Sequence, residues 1–505
     1  MDSIKLGWAE EDITPVKKIR LMGQFYERVS EFVETPISVT ALAIEGCGDA
    51  AVICSCDLVE IYDPLVVDVR RRLIEAGAGE LGLEVDKVIL NAIHTHNSYT
   101  YISEDSGEGS TLSVLRSLLP AGRGEYVPLV DLNDDIMSPE EAMALIAGRI
   151  CSAVLRAWES RRPAYFAPGF GRVPVAHCRR TVYDDGSALM WGDTNTPNFT
   201  ELETGTDTGM ELIYTFDADK KLTGVIANLS CPAQVLEHRS FVSSDYWGKT
   251  KALLREKFGP DIYLLALIGA AGDLCPRDLI RWVEPESPIN DPNIIRNNPP
   301  ARRADPSMFD ISGCCRVARR VYNEIVSVYE ELDMSALISR AEFRHRAEKV
   351  ALPLRRVSGE EYRKALEIID NFAKDASDFD YRQNAALHVY AGTIVRYRYQ
   401  QNHDLYSAEM HFLRLGDVAL VSFPFELFLD YGNKIRARSP AASTFLVELC
   451  CGAGGYLPTL RAERGGHYSA YASSGKVGHE GGEFLVRHTL EILRDLWYTD
   501  KPYNN

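Results

Sequence analysis

Long hydrophobic runs are missing from this chain: no apolar stretch reaches the ~20 residues that a membrane-spanning helix needs. The first residues, MDSIKLGWAEEDITP, lack the basic head, apolar middle and small-residue cleavage site of a secretory leader, so a cytoplasmic location is expected. Positive charge is in deficit. Against 72 Asp and Glu stand 55 Lys and Arg, a formal net charge of −17. Such a balance excludes a general affinity for nucleic acid or anionic membranes, which need a basic face, and points to a small-molecule substrate as the partner. No CxxC pair occurs among the 11 cysteines, so a structural zinc ribbon is not expected. Their odd number and the adjacent pairs Cys314-Cys315 and Cys450-Cys451 suit reduced thiols better than a disulfide framework. There is no low-complexity tract and no exact internal repeat, and the sequence leaves the oligomeric state open.

What is present is the composition of an ordinary globular protein, 46% hydrophobic and 25% charged. At 505 residues the chain exceeds the usual size of one hydrophobic core. We expect one catalytic body over residues 1–505, with a two-lobe arrangement dividing near 330–350, where the pattern turns to long polar helices.

The periodicity predicts an α/β fold of mixed β-sheets flanked by helices. SVTALAIEGCGDAAVICSCDLV reads as two strands around a turn at Gly46 to Ala50. DPLVVDVRRRLIEAG follows with helical spacing, Asp63 as its cap and Gly77 as its stop. KVILNAIHTH is a third strand. Ser138 opens the helix SPEEAMALIAGRICSAVLRAWES with glutamates in its first turn. The middle repeats the theme: LTGVIANLSCP is a strand, YWGKTKALLREKFG a helix and DIYLLALIGAAGD another strand. Arg277 to Pro306, rich in Pro, Asn and Arg, reads as a long surface loop, and AEMHFLRLGDVALVSFPFE as a strand pair turning at Gly416-Asp417.

Several residues at strand ends can carry chemistry. His94 and His96 in NAIHTHNSY stand two apart, so on an extended strand both rings project from one face. A metal could collect one or both, though such a pair is as commonly structural. Glu426 in SFPFELF follows an apolar strand and a proline, where a carboxylate meets either a cation or a helix N-terminus. Tyr456 comes from the glycine-rich CCGAGGYLPT, a setting in which a phenol is usually just packed. Cys275 closes the turn GAAGDLCP beyond a buried strand. Burial as an apolar filler is the commoner fate of cysteine, while a Gly-Asp turn offers backbone N–H groups that would stabilise an anion.

Taken together, GWAEEDITP, LMGQF, HTH, GDLCP, MFDISG, FPFE, GYLPT and GGHY resemble, in this order, the catalytic domain of the neutral (alkaline, non-lysosomal) ceramidase family. The likeness runs over about residues 4 to 475 and lacks the family's C-terminal immunoglobulin-like domain. It implies a zinc ion held by two histidines, a glutamate and a tyrosine, and a serine that attacks the amide of an N-acyl sphingosine. Position by position, the resemblance makes His94, Glu426 and Tyr456 metal ligands, and His96, Arg179 of VAHCRR and Tyr468 the groups that bind substrate and stabilise the oxyanion.

Two positions depart from the family pattern. Cys231 of NLSCPAQ stands at the second zinc histidine, with His238 seven residues on, so either closes the coordination sphere or the metal is lost. Cys275 stands where the serine nucleophile belongs. Asn97-Ser98-Tyr99 replaces the family's Ser-Gly-Pro and alters the pocket wall, so a substrate other than ceramide is expected. The expected function is a zinc-dependent hydrolase of an amide (N-acyl) or ester bond. The alternatives are a catalytically silent metal- or ligand-binding homologue and a metal-independent thiol hydrolase using Cys275.

Overall fold

Three times along the chain, three antiparallel strands are followed by a helix and a fourth strand laid parallel to the third. In the first unit these are Lys5–Asp12, Ser38–Gly46, Asp49–Cys56, the helix Asp63–Glu75 and Val88–Ala92. The second runs Tyr165–Arg172, Gly209–Phe216, Leu222–Leu229, the helix Asp245–Phe258 and Tyr263–Ile268. The third runs Phe343–Pro353, Leu405–Leu415, Val418–Ser422, the helix Leu429–Arg436 and Ser443–Val447. The architecture is thus α/β with mixed sheets, each closed by a β-α-β crossover, because a parallel partner can be reached only through a long connection. This computed structural model describes residues 3–25, 27–102, 114, 135–280, 310–375 and 381–498. Most of the expected loop from Arg277 to Pro306 lies outside them.

The sheets pack on one another. Ile44 and Ile53 of the first, Ile213 and Ile226 of the second, and Leu420 and Phe445 of the third belong to one buried apolar cluster. Strands buried on both faces need near-continuous apolar sequence, which is why DAAVICSC and VILNA do not alternate. The other face of the first sheet is covered by the helix Pro139–Glu159. A capping box starts that helix: Ser138 Oγ accepts from Glu141 N at 3.1 Å and Glu141 Oε2 accepts from Ser138 N at 2.9 Å.

Polar side chains and backbone stitch the three sheets into a ring. Ser55 Oγ donates to Ala266 O at 2.7 Å, joining the first sheet to the second. Asn228 Nδ2 donates to Leu446 O at 2.8 Å, joining the second to the third. Ala92 N donates to Leu449 O at 3.2 Å, joining the first sheet to the segment that leaves the third.

One detail differs from the sequence expectation. Tyr62, not Asp63, is the N-cap of the first crossover helix, and it makes no side-chain cap bond; Pro64 fixes the start there instead. Ala341 and Phe343, in the region where the two-lobe division was expected, belong to the apolar cluster of the first sheet.

Such a scaffold gathers strand ends. The third and fourth strands of each unit point their C-terminal ends the same way, the position at which parallel sheets carry their ligands. Except for Arg179, which lies between the short strands His177–Cys178 and Arg180–Tyr183, the candidate residues come from segments leaving these strands.

Candidate active site

Val88–Ala92 ends two residues before His94, whose backbone is left-handed with φ 64°. The alternation of an extended strand therefore does not govern His94 and His96; the turn itself aims them. A histidine in this conformation costs about 1–3 kcal/mol unless its surroundings hold it. They do: Ile93 N donates to Cys56 O at 3.1 Å, Thr95 N to Leu58 O at 3.2 Å, and His94 Nδ1 to Val59 O at 2.8 Å. Because a carbonyl only accepts, His94 keeps its hydrogen on Nδ1 and presents a bare Nε2. That Nε2 lies 3.2 Å from His96 Nε2 and 3.7 Å from Glu426 Oε2. Burial drives both imidazoles well below the ordinary histidine pKa, so they are neutral at pH 7.

His96 rests against Gly23 of the LMGQF stretch. Gly23 has φ 105°, and a Cβ there would lie 2.5 Å from His96 Cγ, so only glycine leaves room for the ring. On its other side His96 Nδ1 approaches Glu237 Oε2 at 3.2 Å, and the same oxygen accepts from Gln234 Nε2 at 2.9 Å.

Glu426 is not at a helix N-terminus. It opens the two-residue strand Glu426–Leu427, which pairs in parallel with Tyr456–Leu457 in a register that sets Glu426 opposite Tyr456. Tyr456 is therefore a strand residue beside a carboxylate rather than a loosely presented aromatic. Gly272 of the GAAGD turn passes so near that a Cβ would lie 2.4 Å from Glu426 O. Burial pushes the Glu426 carboxyl up to about 8, with Arg179 pulling it back. Behind it, Glu448 Oε2 accepts from Leu427 N at 2.8 Å and Ala271 N at 3.2 Å, tying this loop to the GAAGD turn.

Arg179 lies at the centre with 2% of its surface exposed. It donates to Gln234 Oε1 at 3.2 Å, Gly272 O at 3.0 Å and the Tyr456 hydroxyl at 3.3 Å, and stands 3.7 Å from Glu426 Oε2. Burial alone would lower its pKa, but the surrounding phenols and the Glu426 carboxyl raise it, so the guanidinium keeps its charge. The Tyr468 hydroxyl accepts from Trp191 Nε1 at 3.1 Å, and the Tyr456 and Tyr468 rings are 6.2 Å apart. Six predicted residues are thus linked by these contacts: His94, His96, Arg179, Glu426, Tyr456 and Tyr468.

The remaining three behave differently. Cys275 is fully buried with Met190, Trp191 and Leu279, its thiol donating to Arg277 O at 3.2 Å, and burial pushes it up to about 12. A thiol in that state is protonated at pH 7, the opposite of a displayed nucleophile. Cys231 is buried in the apolar core of the second sheet with Sγ 3.5 Å from Val175 O, and burial drives its pKa well above the ordinary value. His238, half-buried, is lowered to about 4 by burial, against the pull of Glu237. Among the described residues, neither Cys231 nor His238 joins His94 and Glu426 in a group of three His, Cys, Asp or Glu atoms lying within 4.8 Å of one another. The donor set in place, a bare imidazole nitrogen, a carboxyl group and a phenol, suits a zinc-class cation.

A group that does meet this distance is Glu409, His411 and Cys451, and it can hold a metal. Arg70 already forms a two-pronged ion pair with that glutamate, Nη1 donating to Oε2 at 2.9 Å and Nη2 to Oε1, and His411 Nε2 is 3.1 Å from Oε1.

Glu237, Gln234 and Trp191 were not anticipated. The first two lie in CPAQVLEH, where two polar residues three apart interrupt a buried run, a signal readable in principle. Trp191 carries no motif.

No protein-family model and no curated protein sequence matches the chain. Among solved structures, neutral ceramidase from Pseudomonas aeruginosa aligns with a TM-score of 0.65 at 15% identity, covering 98% of this chain and 74% of that one. A ceramidase complexed with C2 aligns with the same TM-score of 0.65 at 14% identity, covering 98% and 76%. From end to end, the fold of this chain is that of the neutral ceramidases.

Proposed function

We propose that the chain is a hydrolase of amide (N-acyl) bonds. The observation that carries this reading is the convergence of His94, His96, Glu426, Tyr456, Arg179 and Tyr468 at the C-terminal ends of the sheets, in a fold shared with ceramidases.

The chemistry follows from charge. Attack on an amide carbonyl places negative charge on its oxygen, and a pre-oriented cation in a water-poor site stabilises that charge far better than solvent does. Arg179 supplies a permanent cation with its orientation fixed by Gln234 and Gly272. Tyr468 and His96 complete the cradle and orient the substrate. His94, Glu426 and Tyr456 would hold a zinc-class ion, which when bound polarises a carbonyl and lowers the pKa of water to about 7. Water is the attacking group in this reading. The buried Cys275 thiol, protonated at neutral pH, makes the thiol-hydrolase alternative the weaker one, and the acidic chain favours a soluble N-acyl compound over a membrane lipid.

A panel of N-acyl amino acids, short N-acyl amines and esters tests this. Turnover of at least one class is expected, falling about 100- to 1,000-fold in Arg179→Ala and in Glu426→Gln, and lost on chelation. No turnover of any member would favour a silent binder. Activity that survives chelation but dies on thiol alkylation or in Cys275→Ala would favour the thiol hydrolase.

A further inference from the structure

Counting hydrogens singles out His96. Three contacts run in series: His94 Nδ1 to Val59 O at 2.8 Å, His94 Nε2 to His96 Nε2 at 3.2 Å, and His96 Nδ1 to Glu237 Oε2 at 3.2 Å. The Val59 carbonyl only accepts and two imidazoles with one hydrogen each bring two hydrogens to three contacts, so the series is completed by one added positive centre, either a proton on the Glu237 carboxyl or a cation between the two Nε2 atoms. If both hydrogens sit on Nδ1, two bare Nε2 atoms face each other across 3.2 Å. If His96 carries its hydrogen on Nε2, its bare Nδ1 faces the Glu237 carboxylate, and that buried nitrogen makes no aligned hydrogen bond.

We propose that this centre is a zinc-class divalent cation bound between His94 Nε2 and His96 Nε2, so that His96 takes the imidazole position that neither Cys231 nor His238 fills. The class of the cation rests on the hydrolase reading; its ligands rest on the contacts above. Nitrogens that each lie 2.0–2.1 Å from a tetrahedral zinc are about 3.3 Å apart, close to the 3.2 Å found. Both Nδ1–H groups then meet an acceptor, Val59 O and Glu237, the carboxylate–histidine–metal arrangement that fixes ring orientation and raises ligand basicity. Gln234 holds Glu237 from behind, and Gly23 gives the His96 ring its place. Glu426 is the third donor. Among the described residues it does not form, with the two histidines, a group whose atoms all lie within 4.8 Å, so binding draws its carboxylate inward. His96 then leaves the oxyanion to Arg179 and Tyr468.

Titrating the full-length protein with Co2+ and following its visible absorption, with Zn2+ as competitor, tests the assignment without reference to activity. One equivalent is expected to bind with the spectrum of a nitrogen and oxygen site. It should be unchanged in Cys231→Ser and His238→Gln, lost in His96→Gln, and weakened about 10- to 100-fold in Glu237→Gln, each variant being checked for wild-type circular dichroism. The graded loss in Glu237→Gln decides the matter should His96→Gln fail to fold. A sulfur-to-cobalt charge-transfer band that vanishes in Cys231→Ser would overturn the proposal. So would full binding by His96→Gln, or no binding by the wild type, which would assign the added centre to a proton. Cobalt binding without turnover of any substrate would support the ligand assignment and count against the hydrolase reading alone.

Discussion

Asp273 shows how much one buried side chain sets. It is the aspartate of the GAAGD turn, 2% exposed, with Oδ1 accepting from Leu429 N at 2.8 Å. Burial pushes its carboxyl up to about 7, against an ordinary value of about 3.9. The folded state therefore binds this proton more tightly than the unfolded chain does, and its contribution to stability is present at low pH and lost as pH rises through about 7. In Asp273→Asn, which keeps the acceptor for Leu429 N, the urea midpoint is expected to fall less between pH 5 and pH 8 than in the wild type. Parallel slopes in the two proteins would contradict the shift. The motif GDLCP was legible in the sequence, but the burial of its cysteine was not. A Gly-Asp turn has the same letters whether it faces solvent or lies under Trp191 and Leu279.

Among the elements, the loops matter more than the strands they leave. Glu448, directly after Ser443–Val447, accepts from Ala271 N and Leu427 N and so holds the GAAGD turn and the FPFE loop in register. Glu448→Ala leaves two buried N–H groups unpaired and is expected to lower stability by about 2–4 kcal/mol. Glu448→Gln, which retains an oxygen acceptor, should cost less than half of that. Chemical denaturation monitored by circular dichroism measures both, and equal losses would mean that the carboxylate is not the strut. Apolar period made most strands and helices readable, including the strand pair around Gly416-Asp417 and the capped helix at Ser138. The left-handed turn at His94 and the pairing of Glu426 with Tyr456 were not readable. Both depend on partners outside the local sequence, Cys56, Leu58 and Val59 for the His94 turn and Tyr456 for Glu426, and no local pattern encodes either.

Across the whole molecule, the threefold recurrence of three antiparallel strands, a helix and a parallel strand places six strand ends around one polar centre. The sequence carried this only as a theme heard twice, because the third unit is interrupted by the helices Gly359–Asp375 and Tyr381–Tyr399 between its first two strands. Most site residues could be named because ordered motifs resemble a known family. Glu237 and Gln234 had no such guide, and the burial of the Cys231 thiol in the core of the second sheet has no local signature either.

The centre itself can be tested by X-ray diffraction at the zinc absorption edge, on crystals of the full chain grown with Zn2+ and no chelator. The account predicts an anomalous peak between the Nε2 atoms of His94 and His96 and beside the Glu426 carboxylate. No peak there, or one confined to Glu409, His411 and Cys451, would contradict it.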